Sequence, residues 1–106
     1  MATHDDKLGR FVDGLYADNY TEHEVMVFAP GWDSDFHSPG HHGRQLVLEG
    51  RVLLEMAGKA RVYEAGETYE VPANTVHREV FGDEGGRLAI GRRKEGEPPM
   101  RKPGVP

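Results

Sequence analysis

The sequence has no cysteine among its 106 residues. Disulfide bridges, thiolate metal sites and cysteine nucleophiles are therefore excluded, and a metal site can use only histidine, aspartate, glutamate or glutamine side chains. No apolar run approaches the roughly 18 residues of a membrane span, and the first residues do not have the pattern of a signal peptide. We therefore expect a cytoplasmic protein with no membrane partner.

The sequence also lacks the motifs of several large enzyme classes. It has no Gly-rich phosphate loop, no Gly-x-Ser-x-Gly nucleophile motif and no Ser/His/Asp arrangement. The formal net charge is -5 and comes mostly from residues 1–36, and the opposite, basic bias near the C-terminus is not accompanied by any aromatic residue. Nucleic-acid surfaces combine positive charge with aromatic stacking, so we expect no nucleic-acid partner.

The length leaves room for one small domain, in which 14 glycines and 7 prolines separate many short elements. In the first part, apolar residues recur at spacings of three and four, which predicts a short amphipathic helix within residues 5–20. These residues are Leu8, Phe11, Val12, Leu15 and Tyr16. We therefore predict a partly helical extension over residues 1–23, and a flexible Pro-rich tail over residues 95–106.

Between these segments, over residues 24–94, the pattern changes to short runs rich in Val, Leu and Tyr. Tight turns are predicted at Met-Ala-Gly-Lys, at Gly-Asp-Glu-Gly-Gly and at Pro72-Ala73-Asn74. About seven to nine short strands with this spacing predict a β-sandwich or a small barrel.

Histidines are the most informative polar residues of this segment. His37, His41 and His42 form a cluster, and His77 follows the turn at residues 72–74. Imidazole nitrogens must lie about 2.0 to 2.1 Å from a metal, so the ligands have to converge from neighbouring strands. If the strand at His77 pairs with the one near His37, the four histidines would come together inside the sheet. A solvated, turn-rich loop is the alternative interpretation of the cluster.

The residues around His77 resemble the second motif of the cupin superfamily. This motif reads Gly, five residues, Pro, one residue, Gly, two residues, His, three residues, Asn. Gly66, Pro72 and His77 have this spacing, with Asn74 at the second Gly and Phe81 at the final Asn. Asn also tolerates the left-handed backbone conformation, so the first replacement is mild.

The first cupin motif is kept only at its ends. It reads His, one residue, His, three or four residues, Glu, six residues, Gly; His37 and Gly50 match, whereas Pro39 and Gly43 replace the inner His and the Glu. The resemblance covers roughly residues 25–93. It implies an all-β, double-stranded β-helix, the jelly-roll barrel of a small single-domain cupin, with a short N-terminal helical extension and a metal in or near the barrel mouth.

Strand geometry limits which histidines can share a metal. His37 and His41 are four residues apart, about 13 Å along an extended strand, so the intervening Ser-Pro-Gly must bend. Adjacent residues of a strand face opposite ways, so only one of His41 and His42 should be a ligand. Gln45 shares the face of His41, where it would be an additional ligand or a polar wall.

These residues predict a divalent transition metal, Zn, Fe, Mn, Ni or Cu, held by neutral imidazoles with an open coordination position. The resemblance implies a metal-dependent enzyme of dioxygenase or isomerase type, and neutral ligands favour a small anionic substrate. The catalytic residues stay open. The alternative is a non-catalytic ligand-binding or sensor cupin, with a pocket filled by Trp32, Phe36 or Phe81. Exposed sheet edges, and the habit of similar cupins, predict a homodimer.

Overall fold

One helix is followed by five antiparallel strands in the computed structural model, which describes residues 4–94. The elements are α1 His4–Ala17, β1 Glu22–Phe28, β2 His41–Met56, β3 Lys59–Glu64, β4 Thr68–Val71 and β5 His77–Lys94. The mostly β fold with an N-terminal helix is confirmed, and the predicted tail over residues 95–106 lies outside the described residues. A membrane-spanning helix would need to be longer and more apolar than any helix in residues 4–94.

The sheet is built around β2, which pairs with β5 along almost its whole length. On its other edge, β2 pairs with β4 over its first half and with β3 over its second half. β1 pairs with the C-terminal half of β5, so the strand order is β1-β5-β2-β3, with β4 also on β2.

The two long strands, β2 and β5, continue through glycines in a region where the sequence predicted shorter, separate strands. Gly50 has φ +79°, and a Cβ there would lie 2.1 Å from the carbonyl oxygen of Gly85, so only glycine fits this crossing. The pairing register also shifts next to Gly50. The predicted turn at Gly-Asp-Glu-Gly-Gly is therefore wrong, because this segment continues within β5, and five strands replace the seven to nine expected.

The other two predicted turns are confirmed. Ala57 and Gly58 both have positive φ, at 54° and 75°, and join β2 to β3 in a tight hairpin. Asn74 has φ 61°, so it adopts the left-handed conformation of the glycine that it replaces in the cupin motif. Its N–H donates to the Pro39 carbonyl oxygen at 2.8 Å, which joins this turn to the bend before β2.

Helix α1 lies on the outer face of the sheet. Leu15 is buried directly over Gly91 of β5, where a Cβ would lie 2.4 Å from the leucine Cδ2. Arg44 of β2 fastens the end of the helix, since it donates to Asp18 at 2.8 Å and to Glu70 of β4 at 3.0 Å. The inner face carries the hydrophobic core, formed by Phe28, Val47, Val52, Leu54, Tyr69, Val71, Phe81, Leu88 and Ile90.

Candidate metal centre

The segment before β2 lies beside the start of β5 and brings two histidines together. His37 and His77 form an antiparallel bridge in which each N–H donates to the other's carbonyl oxygen, at 3.0 and 2.9 Å. The centroids of the two imidazole rings are 4.4 Å apart. Residues 40 positions apart in the chain therefore lie side by side, with His37 exposed and His77 buried.

Contacts outside the barrel hold this segment in register. Arg78 points away from the interior and donates to both carboxylate oxygens of Asp33, at 2.9 and 2.5 Å, and to Glu55 of β2 at 3.2 Å. The hydrogen bond from Arg78, helped by the Asp35 N–H, lowers the pKa of Asp33 to about 2. The segment that carries His37 is thus tied to β5 through an ion pair.

Glu79 is the third donor residue at this place, beside His37 and His77. It stands two residues after His77 on β5, so both side chains face the same side, and its Oε1 lies 3.4 Å from the His77 Nε2. Within residues 4–94, one group of three donor residues has ligand atoms that all lie within 4.8 Å of one another: His37, His77 and Glu79.

Glu79 was not among the residues singled out from the sequence. The alternation rule that paired His41 with Gln45 also applies to the His-Arg-Glu of β5, and would have placed Glu79 beside His77. This chain has Gly43 where the first cupin motif has its Glu, and the carboxylate that lies near the two histidines comes from another strand.

A second layer of hydrogen bonds orients these donors. The Nδ1 of His77 lies 3.0 Å from the Thr75 carbonyl oxygen, which can only accept, so Nδ1 carries a proton. The Nε2 faces Glu79, as a donor in the charged imidazolium and as a free lone pair in the neutral ring. The Tyr69 hydroxyl donates to the other oxygen of Glu79, Oε2, at 2.5 Å. Each of these two donor residues therefore has one atom held by the protein and one directed toward the cluster.

The charges of the cluster follow from these contacts. Burial lowers the pKa of His37, and the neighbouring His77 adds to this effect. The hydrogen bond to Glu79 outweighs burial and raises the pKa of His77. Burial opposes ionisation of Glu79, but hydrogen bonds from His77 and Tyr69 outweigh it and lower the pKa of the carboxyl. Burial raises the pKa of Tyr69, which keeps the phenol a donor.

A cavity of about 300 Å³ opens beside the cluster. His37, His77 and Glu79 line it together with an apolar wall that includes Phe28 and Trp32. Neither Phe36 nor Phe81 lines this cavity, because Phe36 is 59% exposed and Phe81 lies in the core. The aromatic residues named from the sequence do not fill it, so a small molecule has space next to the donors.

The remaining sequence-predicted residues separate into two groups. His41 and Gln45 line the cavity but are not part of the three-residue group. The Nδ1 of His41 and the Oε1 of Gln45 are buried and have no hydrogen-bond partner in the described part of the chain. His42 lies away from the cavity, and its Nδ1 accepts the Ala73 N–H at 3.1 Å.

Two imidazoles and a carboxylate, with unpartnered polar atoms on the adjoining wall, fit a divalent metal. Buried polar atoms normally have partners, so His41 and Gln45 indicate a polar occupant of this region. The three-residue group has the donor types that borderline-soft divalent ions prefer. The donor set observed thus differs from the predicted all-histidine set by one negative charge.

Comparison with known proteins gives a family and a fold. Residues 24–87 match the family described as Cupin domain. An RmlC-like cupin from Shewanella frigidimarina NCIMB 400 is 25% identical, with a TM-score of 0.62 over 71% of this chain and 67% of that chain. A Cupin 2 conserved barrel domain protein from Salinispora arenicola CNS-205 is 24% identical, with a TM-score of 0.61 over 69% and 62%. KdgF from Halomonas sp. is 22% identical, with a TM-score of 0.58 over 76% and 69%. No curated protein matches the sequence.

Proposed function

This chain belongs to the Cupin domain family, and we propose that it binds a divalent transition metal through His37, His77 and Glu79. The observation that carries the proposal is the convergence of their donor atoms within 4.8 Å at the edge of a cavity. Two histidines and one carboxylate hold iron in non-haem oxygenases and zinc in several hydrolases. The candidate metals stay Zn, Fe, Mn, Ni and Cu.

His41 is the further candidate ligand in this proposal. It lies on the cavity wall, and its Nδ1 is buried with no hydrogen-bond partner in the described part of the chain. Buried polar atoms normally have such a partner. Gln45, on the same face of β2, is a polar wall residue. His42 does not belong to the proposed site, because it faces away from the cavity and its Nδ1 accepts a backbone N–H.

We further propose a metal-dependent enzyme of dioxygenase or isomerase type, acting in the cytoplasm on a small anionic molecule. A bound divalent ion would supply a Lewis acid or a redox centre. With Glu79 as a ligand the site keeps a net charge of about +1 instead of +2, which still favours an anion. Arg92 lines the same cavity and adds positive charge, although Glu24 pairs with it. The open cavity favours this function over a non-catalytic module with a filled pocket.

Metal analysis of tag-free protein tests the metal proposal. We expect about one equivalent of a first-row metal in the wild type after dialysis, and a lower melting temperature after EDTA treatment, because a ligand that binds only the folded state stabilises it. His77→Ala and Glu79→Gln should lose most of the metal. His42→Ala is the matched control, since it removes a histidine that is next to His41 in the chain but lies outside the cavity. This variant should retain the metal content of the wild type.

Two results would contradict the proposal. One is a wild-type metal content below about a tenth of an equivalent that His77→Ala does not change, since the proposed ligands would then hold no metal. The other is an equal loss of metal in His42→Ala and His77→Ala, which would place the ligands elsewhere in the histidine cluster.

A further inference from the structure

We propose that Tyr69 is a positioning residue of the metal centre, which holds one carboxylate oxygen of Glu79 so that only the other is presented to the metal. This inference rests on the proposed metal site. It concerns how that site is built, and it gives Glu79 a defined mode of binding, through Oε1 alone.

The first support is that the two carboxylate oxygens of Glu79 have different partners. Oε2 accepts the Tyr69 hydroxyl at 2.5 Å, whereas Oε1 lies 3.4 Å from the Nε2 of His77 and faces the donor cluster. Hydrogen bonds from a hydroxyl to a carboxylate are short and strong, at about 2.5 to 2.7 Å. The contact with Tyr69 therefore competes effectively with a second bond from the carboxylate to a metal.

The second support is burial. Tyr69 is 4% exposed, and the Glu79 side chain is 12% exposed. Water therefore has little access to replace the phenol, and a carboxylate oxygen left without a partner at this depth would be costly. The hydrogen bond should persist through metal binding and release.

The third support is the way in which Glu79 is fixed at both ends. Its backbone N–H donates to the Ser34 Oγ, and its carbonyl oxygen accepts the Ser34 N–H, both at 2.9 Å. Tyr69 reaches it from β4, opposite Gln45 in the first half of β2, whereas Glu79 pairs with Leu54 in the second half. The contact thus crosses the barrel interior, and it locks the carboxylate against a different strand from the one that carries it.

The consequence is a carboxylate with one orientation, whose Oε1 lies beside the His77 Nε2. Monodentate binding occupies a single coordination position, which leaves more of the metal open to water or a substrate. Hydrogen-bonding partners of metal ligands commonly contribute about 10- to 100-fold to metal affinity. Removing the hydroxyl should free Glu79 to turn or to bind through both oxygens.

Tyr69→Phe and Tyr63→Phe test the inference, with Co²⁺ as the probe. The Tyr63 ring packs against Tyr69 with centroids 4.8 Å apart, so Tyr63→Phe removes a neighbouring hydroxyl and leaves the bond to Glu79 intact. We expect Tyr69→Phe to weaken Co²⁺ binding by about 10- to 100-fold in chelator competition, and to change the visible Co²⁺ absorption spectrum, which reports the ligand set. Tyr63→Phe should match the wild type in both.

The outcomes separate the two proposals. A wild type that binds no Co²⁺ contradicts the metal site, and the inference falls with it. A wild type that binds Co²⁺ and loses it in Glu79→Gln, with Tyr69→Phe unchanged in affinity and spectrum, overturns the positioning role alone.

If circular dichroism shows that Tyr69→Phe does not fold, a crystal structure of the Co²⁺-loaded wild type decides. Oε1 on the metal with Oε2 on Tyr69 is the expected arrangement. Coordination through Oε2, or through both oxygens, overturns the inference.

Discussion

Phe81 occupies the position at which the second cupin motif has an asparagine, and it serves the core instead of the metal centre. The side chain is 2% exposed and stacks on Phe28 with ring centroids 4.4 Å apart. The Trp32 ring packs against both phenylalanine rings in an edge-type arrangement, with centroids 4.9 Å from Phe28 and 6.3 Å from Phe81. The departure from the motif thus exchanges a polar group for aromatic packing under the cavity wall.

Restoring the asparagine should therefore destabilise this chain. Phe81→Asn loses a buried ring and leaves an amide in apolar surroundings, so we expect the free energy of unfolding to fall by about 3 to 5 kcal/mol in urea denaturation. Phe36→Asn is the control, because Phe36 is 59% exposed, and it should change the stability by less than about 0.5 kcal/mol. Similar values for the two variants would show that the stack does not support the barrel.

For single residues, the sequence could predict the face of a side chain better than its partners. Alternation along β2 separates His41, on the cavity wall, from His42, outside it. The same rule predicts that His77 and Glu79 share a face, but not that Tyr69 of another strand reaches the carboxylate. The face of a strand on which a side chain lies depends on its position among its neighbours in the chain. Its hydrogen-bond partner depends on how strands far apart in the chain pack together.

At the scale of elements, the segment before β2 is positioned by a contact outside the barrel. Asp33 and Arg78 form a two-bond ion pair, and Arg78 also reaches Glu55. The pair joins the segment that carries His37 to the strand that carries His77 and Glu79. This contact on the outer surface therefore helps to set the distance between His37 and the donor residues of β5.

This ion pair predicts a pH dependence of stability. The pKa of Asp33 is about 2 in the folded protein against a usual 3.8. A folded-state pKa below the unfolded value stabilises the protein above the unfolded value, and this contribution is lost as the pH falls through the folded one. The melting temperature of Asp33→Asn should therefore lie below that of the wild type near neutral pH, and the difference should shrink as the pH falls from 3.8 toward 2.

Differential scanning calorimetry at a series of pH values measures this difference. Asp83→Asn, at an exposed position of β5, controls for the loss of one carboxylate. A difference between Asp33→Asn and the wild type that stays constant down to pH 2 would contradict the assignment of the stabilising role to the ion pair.

Strand lengths show where a local pattern is insufficient. Glycine is a typical turn residue, and the sequence predicted a turn at the segment that contains Gly85. In the structure Gly50 and Gly85 meet where β2 and β5 cross, and the strands bend without ending. The hairpin at Ala57 and Gly58 was predictable because both of its strands lie next to it in the chain.

At the scale of the whole molecule, β1 forms an edge of the sheet. Among the described residues it pairs with β5 alone, and its Val25 and Val27 are 51% and 79% exposed. The opposite edge, β3, carries Lys59 and Arg61, and charged residues of this kind protect an edge from further pairing. Glu22 and Glu24 protect the first half of β1 in the same way, so we propose that the homodimer predicted from the sequence forms through its second half, at Val25 and Val27.

Light scattering coupled to size-exclusion chromatography tests this dimer. The wild type should elute with about twice the chain mass of 11.8 kDa. Val27→Lys should shift it toward the monomer, because a charge would then lie in the apolar edge. Val62→Lys introduces the same charge on β3 and should leave the dimer intact. A monomeric wild type, or a dimer that only Val62→Lys disrupts, would contradict the use of β1.

The sequence by itself determined the family, the mostly β cupin fold and the amphipathic helix. Gly66, Pro72 and His77 lie within one short segment, and hydrophobic periodicity is likewise a property of neighbouring residues, so both are legible without a structure. Tertiary structure alone decided that His37 joins His77 and Glu79, and that Tyr69 holds the Glu79 carboxylate. A ligand set depends on which strand faces meet, and that is set by the bends and register of strands far apart in the chain.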